Sequence, residues 1–183
     1  EDVSQMRALS VPDWYIESCK KITYLFPKAH AAAYVTNSFR IAYFKVHHPL
    51  AFYSTYFSFT GNALTTEFMY LEPTEWREYI NQVNSNPAST AREQDIAAAL
   101  ELALEMAERG FSFGRHHLYL SHATRYVPEG DCLIPPFTSI PGLGSRAAAA
   151  IVKARQQGEF ESVEDFRRRT GLGKKLCEVL RDH

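Results

Sequence analysis

The sequence predicts a mainly α fold with a small β-hairpin: a helical segment followed by two glycine-bounded helical hairpins. Three observations carry this. The word Gly-x-Gly occurs twice near the carboxyl end, as Gly142-Leu143-Gly144 and Gly171-Leu172-Gly173, each opening an apolar helix. Apolar residues recur at helical spacing through Ile96, Ala99, Leu100, Ala103, Leu104 and Ala107. One turn signal, Pro128-Glu129-Gly130-Asp131, separates Arg125-Tyr126-Val127 from Cys132-Leu133-Ile134, as in a short hairpin. At 183 residues and 45% hydrophobic, the chain can bury the core of one medium domain or two small ones.

Taken in order, Pro12 and Asp13 open a helix that runs to about Phe26, where Pro27 stops it. A second helix carries Ala29 to about His47. Pro49 then starts an aromatic helix whose rings Phe52, Tyr53, Tyr56, Phe57 and Phe59 read most simply as core, ended by Gly61-Asn62. A helix over about Pro73 to Val83 and a polar loop from Asn84 to Ser89 follow. Thr90 and Glu93 have capping-box spacing before the helix Asp95 to Glu108, which Gly110 closes. The stripe on that helix suits packing; a docking surface for another protein is its rival use. Leu118 to Leu120 and Arg125 to Val127 lead into the hairpin, and Pro135-Pro136 ends it. Gly158 to Ser162 reads as a helix end, a turn and the N-cap of a helix through Arg169.

Charge is unevenly distributed beneath a net value of −1. Residues 1–60 hold six Lys/Arg against four Asp/Glu, and 61–110 hold three against nine. Residues 137–183 hold nine against six, so the near-neutral total does not exclude nucleic acid, which responds to local potential. Cys19, Cys132 and Cys177 are widely separated, which fits a reducing compartment and neither a disulfide framework nor a zinc knuckle. With no export signal and no long apolar run, a cytoplasmic location is expected. The pairs His47-His48 and His116-His117, with His122, lack a Cys or acidic partner at ligand spacing, so no metal site is expected. No local nucleophile signature marks a catalytic residue.

The glycine words point to a phosphate grip. Glycine lets the backbone approach a ligand closely, and the first amides of the following helix lack intrahelical partners at the positive end of its dipole. Around Gly142, Leu143, Gly144 and Ser145 the expected cations are Arg146 and Lys153. Around Gly171 and Gly173 they are Arg169, Lys174 and Lys175. Overlaying Gly142 on Gly171 places Ala147 on Leu176 and Ile151 on Leu180, so the apolar positions agree as well. This resembles the helix-hairpin-helix motif, in tandem, which implies duplex DNA held by its phosphates without base reading. Near the other end, Lys28, His30 and Tyr34 stand within two helical turns. They would suit a polyphosphate, although taken alone they read more simply as a capped core helix carrying a surface lysine.

The wider sequence resembles the PolC type of bacterial DNA polymerase III. The likeness lies in Val11 to Ile22, in Phe26-Pro27-Lys28-Ala29-His30-Ala31-Ala32-Ala33-Tyr34-Val35, in Arg40 to Leu50, in Glu105 to Phe113, in Ile134 to Phe137 and in Ile140 to Gly144. It extends from about residue 6 to 181, is weakest from Thr60 to Arg92, and departs at Thr36-Asn37-Ser38, where the family is mostly apolar. The resemblance implies three parts: 1–60 as the end of the polymerase fingers, 61–110 as an acidic helical spacer, and 111–183 as a hairpin plus tandem helix-hairpin-helix domain. It further implies that Lys28, His30 and Tyr34 lie near an incoming deoxynucleoside triphosphate. The aspartates that hold two Mg²⁺ ions are expected upstream and the clamp-binding peptide downstream, so this chain should not polymerise DNA by itself and should work with the upstream polymerase domains and the replisome. The rivals are an accessory module of a DNA-repair or nuclease protein using the same hairpins, and a helical protein-interaction domain.

Overall fold

The computed structural model describes residues 2–21, 28–60 and 64–181. The chain divides inside one helix into two compact units, Glu1–Tyr43 and Phe44–His183. The expected boundaries at 60 and 110 therefore do not coincide with packing boundaries: residues 44–60 share a core with the acidic segment that follows.

In the first unit, α1 (Asp2–Ala8) precedes α2 (Asp13–Lys21). The intervening turn places Ser10 at φ 58° and is closed by bonds from the Leu9 and Val11 amides to the Gln5 and Met6 carbonyls. The expected end of this helix near Phe26, its stop at Pro27, and the break at Gly61-Asn62 lie outside the described residues. The helix α3 (Lys28–His47) buries none of its side chains, and Tyr34, Phe39 and Ile41 are exposed. Its polar interruption is satisfied locally: Thr36 Oγ1 and Ser38 Oγ donate to the carbonyls one turn back, Ala32 at 2.7 Å and Tyr34 at 3.0 Å.

The second unit contains two cores. The first gathers Tyr53 and Phe57 from α4 (Pro49–Thr60) and Met69 from the short α5 (Thr66–Met69). To these it adds Trp76 and Ile80 from α6 (Pro73–Ser85) and the apolar stripe of α7 (Ala91–Glu108). The aromatic helix is core on one side only, since Phe59 is 87% exposed. Both long helices start as their sequences dictate. Pro73 stands in the first turn of α6, and the Glu72 amide donates to Glu75 Oε2 at 2.8 Å. At α7 the Glu93 amide donates to Thr90 Oγ1 at 3.3 Å while the Thr90 amide donates to Glu93 Oε2 at 2.7 Å. Ile96, Ala99, Leu100 and Ala103 are all buried, so the stripe is consumed inside its own unit and offers no docking face.

A three-stranded sheet packs on the first core, in the order β1-β3-β2. β2 (Val127–Glu129) and β3 (Cys132–Ile134) form an antiparallel hairpin as expected, but its turn is only Gly130-Asp131: Pro128 and Glu129, read from the sequence as turn, pair with Leu133 and Cys132. Pro128 is tolerated because β2 is an edge strand. β1 (Ser112–Phe113) pairs parallel with β3 and had no sequence signal at two residues' length. Leu118 to Leu120 is a turn and not a strand: the His117 amide donates to Ser121 Oγ, and His117 Nδ1 accepts from the Tyr119 and Leu120 amides.

A polar junction fastens α7 to the end of α3 and to α4. Glu105 accepts from Lys45 Nζ at 2.6 Å and from the Tyr53 hydroxyl at 3.1 Å, while Arg109 donates to the Lys45 carbonyl at 2.7 Å. Burial works to raise the Glu105 carboxyl, but the Lys45 and Tyr53 hydrogen bonds, with the charges of Lys45 and Arg109, hold it below the ordinary range. The Tyr53 phenol is pushed up to about 12, by burial first and by Glu105 second. Glu105→Gln should therefore lower the Tyr53 titration without returning it to the ordinary 10.0, because the burial remains. Difference titration against Tyr53→Phe reads this; an unmoved value would show that the carboxylate does not act on the phenol.

Candidate nucleic-acid interface

The second core lies beneath the two glycine words and is built from them: Phe137, Ile140, Leu143, Ala148, Ile151 and Phe166. A 3₁₀ turn (Phe137–Ser139) leads into the first word. The Leu143 amide donates to the Ile140 carbonyl at 3.0 Å, closing a four-residue turn with Pro141 and Gly142 at its centre. Gly142 has φ 83°, so this is the turn type that favours proline followed by glycine. Gly144 is the N-cap of α8 (Ser145–Arg155). The second word uses a different turn for the same end. Gly171, at φ 71°, caps α9 (Val163–Thr170) in the left-handed conformation, its amide donating to the Arg167 carbonyl. Gly173 then precedes α10 (Lys174–Arg181), whose first backbone bonds run from Leu176 and Cys177 back to the Gly173 carbonyl.

Both words leave a bare ridge. A Cβ built on Gly142, Gly144, Gly171 or Gly173 would meet nothing within 4 Å. At Gly142 and Gly171 the positive φ accounts for glycine. At Gly144, with φ −72°, neither backbone conformation nor packing within the protein requires it. What remains is room for something else to come close. In α8 the first amide bonded along the helix is that of Ala148, to the Gly144 carbonyl, so the amides of Ser145, Arg146 and Ala147 open the helix toward that space. Arg146, Lys153, Lys174 and Lys175 are all exposed. Lys174 makes only a long 3.9 Å surface pair with Glu178.

Two expected contact residues are placed otherwise. Leu143 is 3% exposed: it anchors the turn in the core, and its amide is spent on Ile140. Arg169 turns inward. Its guanidinium donates to the carbonyls of Ala154, Gly158 and Glu159, pairs with Asp165 at 3.1 Å, and lies 4.3 Å from the Phe160 ring centroid. It holds the first hairpin's helix, the connecting turn and α9 together, and has no donor left to offer a phosphate except Nε, which is buried. Of the triplet it belongs to, Arg167 and Arg168 are exposed, the latter paired with Asp165.

Supporting residues are Arg155, which the sequence did not single out, and His116 and His122, which it weighed only as metal ligands. Arg155 donates to the Leu118 and Ser121 carbonyls at 2.9 and 2.7 Å, tying α8 to a turn more than thirty residues back. His116 Nε2 stands 2.9 Å from Ser139 Oγ, and its Nδ1 stands 3.0 Å from the Tyr70 hydroxyl, which links the two cores. His122 Nδ1 accepts from the Thr124 and Arg125 amides, and burial, with Arg125 and Arg155, pulls its pKa below the usual histidine value. The partners of Arg155 and His116 stand more than twenty residues away, so only the fold reveals them, whereas His122 caps the turn that follows it. Lys28, His30 and Tyr34 are exposed in the first two turns of α3, with the His30 and Tyr34 ring centroids 4.4 Å apart. They belong to the first unit, and the hairpins to the second.

Residues 112–183 match the helix-hairpin-helix motif family. The class follows from that match and from the twin glycine turns: residues 112–183 form a helix-hairpin-helix segment. Over its whole length it is 50% identical to "DNA polymerase III PolC-type" of Oceanobacillus iheyensis, covering 13% of that protein. The counterpart in Bacillus subtilis is 49% identical over 98% of the chain, and that in Streptococcus sanguinis 47% over 98%, each covered to 12% of its length. The chain belongs to the PolC-type DNA polymerase III family, and it spans about an eighth of the length of the curated relatives it matches.

Proposed function

We propose that this chain is the part of a PolC-type replicative polymerase that holds duplex DNA by its sugar–phosphate backbones, through the two glycine ridges at Gly142–Gly144 and Gly171–Gly173. The observation that supports it is the bare backbone at both ridges: four glycines with open space, each pair delivering a helix start flanked by exposed Arg or Lys. Backbone contact without base reading suits an enzyme that travels over any sequence. In the longer polymerase, Lys28, His30 and Tyr34 would face the incoming deoxynucleoside triphosphate, and the chain would work beside upstream polymerase domains and the replisome in the cytoplasm. Mg²⁺ chemistry is assigned to residues beyond this chain. Among the described residues no group of three His, Cys, Asp or Glu stands close enough to hold a metal ion, and no helix is long and apolar enough to cross a membrane.

Fluorescence anisotropy on labelled duplexes tests the reading. Affinity should be indifferent to sequence and should fall steeply with salt. Four exposed cations at the ridges predict a log–log slope of roughly −3 to −4, at about −0.9 for each neutralised phosphate. A flat salt response, or a strong preference for one duplex sequence, would overturn it.

A further inference from the structure

A groove of about 330 Å³ opens between α4 and the segment leading into β2. Two hydrogen bonds fasten its walls: Ser54 Oγ donates to the Tyr126 carbonyl at 2.7 Å, and the Tyr126 amide donates to Ser58 Oγ at 2.9 Å. Tyr126 is itself buried, so the groove is a fixed feature of the first core and not a loose surface crease.

Its two remaining features are complementary. On one wall stands Phe59, 87% exposed, although Tyr53 and Phe57 of the same helix are fully buried. On the other stands Arg125, also exposed. The neighbour of its guanidinium is His122 Nε2, at 3.3 Å. Because His122 Nδ1 accepts from two backbone amides, the ring proton of the neutral imidazole is on Nε2. A donor therefore faces a donor, and the contact does not occupy the guanidinium. Among the described residues no carboxylate lines the groove. An aromatic face, a guanidinium and an absence of negative charge are the elements that hold an unpaired nucleotide. The ring takes the base by stacking, which every base permits, and the arginine takes the phosphate.

We propose that this groove binds one nucleotide of single-stranded DNA, its base against Phe59 and its phosphate on Arg125. The proposal rests on the reading of the chain as a duplex-binding protein and adds to it a site for the unpaired strand that runs on from a duplex. A protein partner would be served equally well by apolar contact alone and gives no reason for the arginine; stacking plus charge accounts for both walls.

The experiment measures the affinity of the full 183-residue chain for two labelled probes, a blunt duplex and the same duplex carrying a single-stranded overhang. The chain should bind the overhang probe about fivefold to hundredfold more tightly, the range that stacking of one base supplies. Phe59→Ala and Arg125→Gln should each remove that preference while leaving the blunt-duplex affinity unchanged, which also reports that they fold. Gly144→Val should weaken both probes alike. Equal affinity of the unaltered chain for the two probes, or a preference that survives both substitutions, would overturn the groove assignment and leave the duplex reading standing. Failure to bind either probe would overturn the duplex reading itself, and this proposal with it.

Discussion

Gly144→Val and Gly173→Val are each expected to weaken duplex binding at least about tenfold, with little loss of thermal stability. The separation of the two effects is what gives the experiment force. Neither position needs glycine for the protein's own sake: Gly144 has an ordinary negative φ, and a Cβ at either glycine would meet nothing within 4 Å. The structural cost is confined to a poorer helix start, about 1 kcal/mol or less. A branched side chain at the ridge would, however, hold a phosphate away from the amides behind it. Loss of one charge-assisted contact of about 1.5–3 kcal/mol corresponds to roughly tenfold or more in affinity. Gly142→Val and Gly171→Val differ, because their positive φ adds about 1–2 kcal/mol of backbone strain, and their binding and folding effects would be mixed. Anisotropy and a melting curve on the same preparations decide the matter. Unaltered affinity in both Gly144→Val and Gly173→Val would sink the ridge assignment.

Arg169→Ala is expected to give the converse: a large loss of stability whose effect on binding follows from the damage to the fold. The guanidinium serves three carbonyls and the Asp165 carboxylate while covering the Phe160 ring, and its side chain is only 13% exposed. Hydrogen bonds to a charged group contribute about 1.5–3 kcal/mol each, and four are lost together with the contact on Phe160, so a loss of about 3 kcal/mol or more is expected. Arg169→Lys should recover little, since an ammonium cannot reproduce the fork that reaches all three carbonyls and also stacks. The pH dependence has a definite sign. The Arg169 hydrogen bond, against the opposing effect of burial and with help from the Glu161 amide and the two arginine charges, holds the Asp165 carboxyl below its ordinary value. A depressed carboxyl contributes stability above its unfolded value of about 3.9 and loses it as the pH falls through the lower folded value. Denaturant midpoints measured from pH 7 down to pH 2 should show that acid-labile component in the unaltered chain and a smaller one in Arg169→Ala, where Arg168 and the Glu161 amide still act on Asp165. A variant as stable as the parent would show that the inward arginine is incidental.

Much of the fold could be read directly because its signals are local. The capping pair Thr90 and Glu93, the proline start at Pro73, the Gly130-Asp131 turn and the glycine after α9 each act within a few residues, where backbone sterics and cap chemistry leave few choices. The helical stripe through Ile96 and Leu100 was legible for the same reason, and its use as core and not as a docking face followed from its neighbours. β1 was not legible. A two-residue strand has no periodicity, and it exists because β3 supplies the partner.

At the interface the division is similar. The places where the backbone must turn left-handed were written in Gly142 and Gly171, because conformational freedom belongs to the residue itself, and Gly144 and Gly173 marked the helices that follow. Which cations remain for a ligand was not. Arg169 and Arg146 look alike in a sequence, yet one is folded onto the carbonyls of a turn ten residues away and the other stands in solvent. Arg155 and His116 acquired their roles from partners on distant segments. The sequence alone determined the helical class, the twin turns and the family; the tertiary structure decided which charges are spent inside and which stay free. Hydrogen-bond demand is set by whatever carbonyls the fold has buried nearby, and only packing determines where those are.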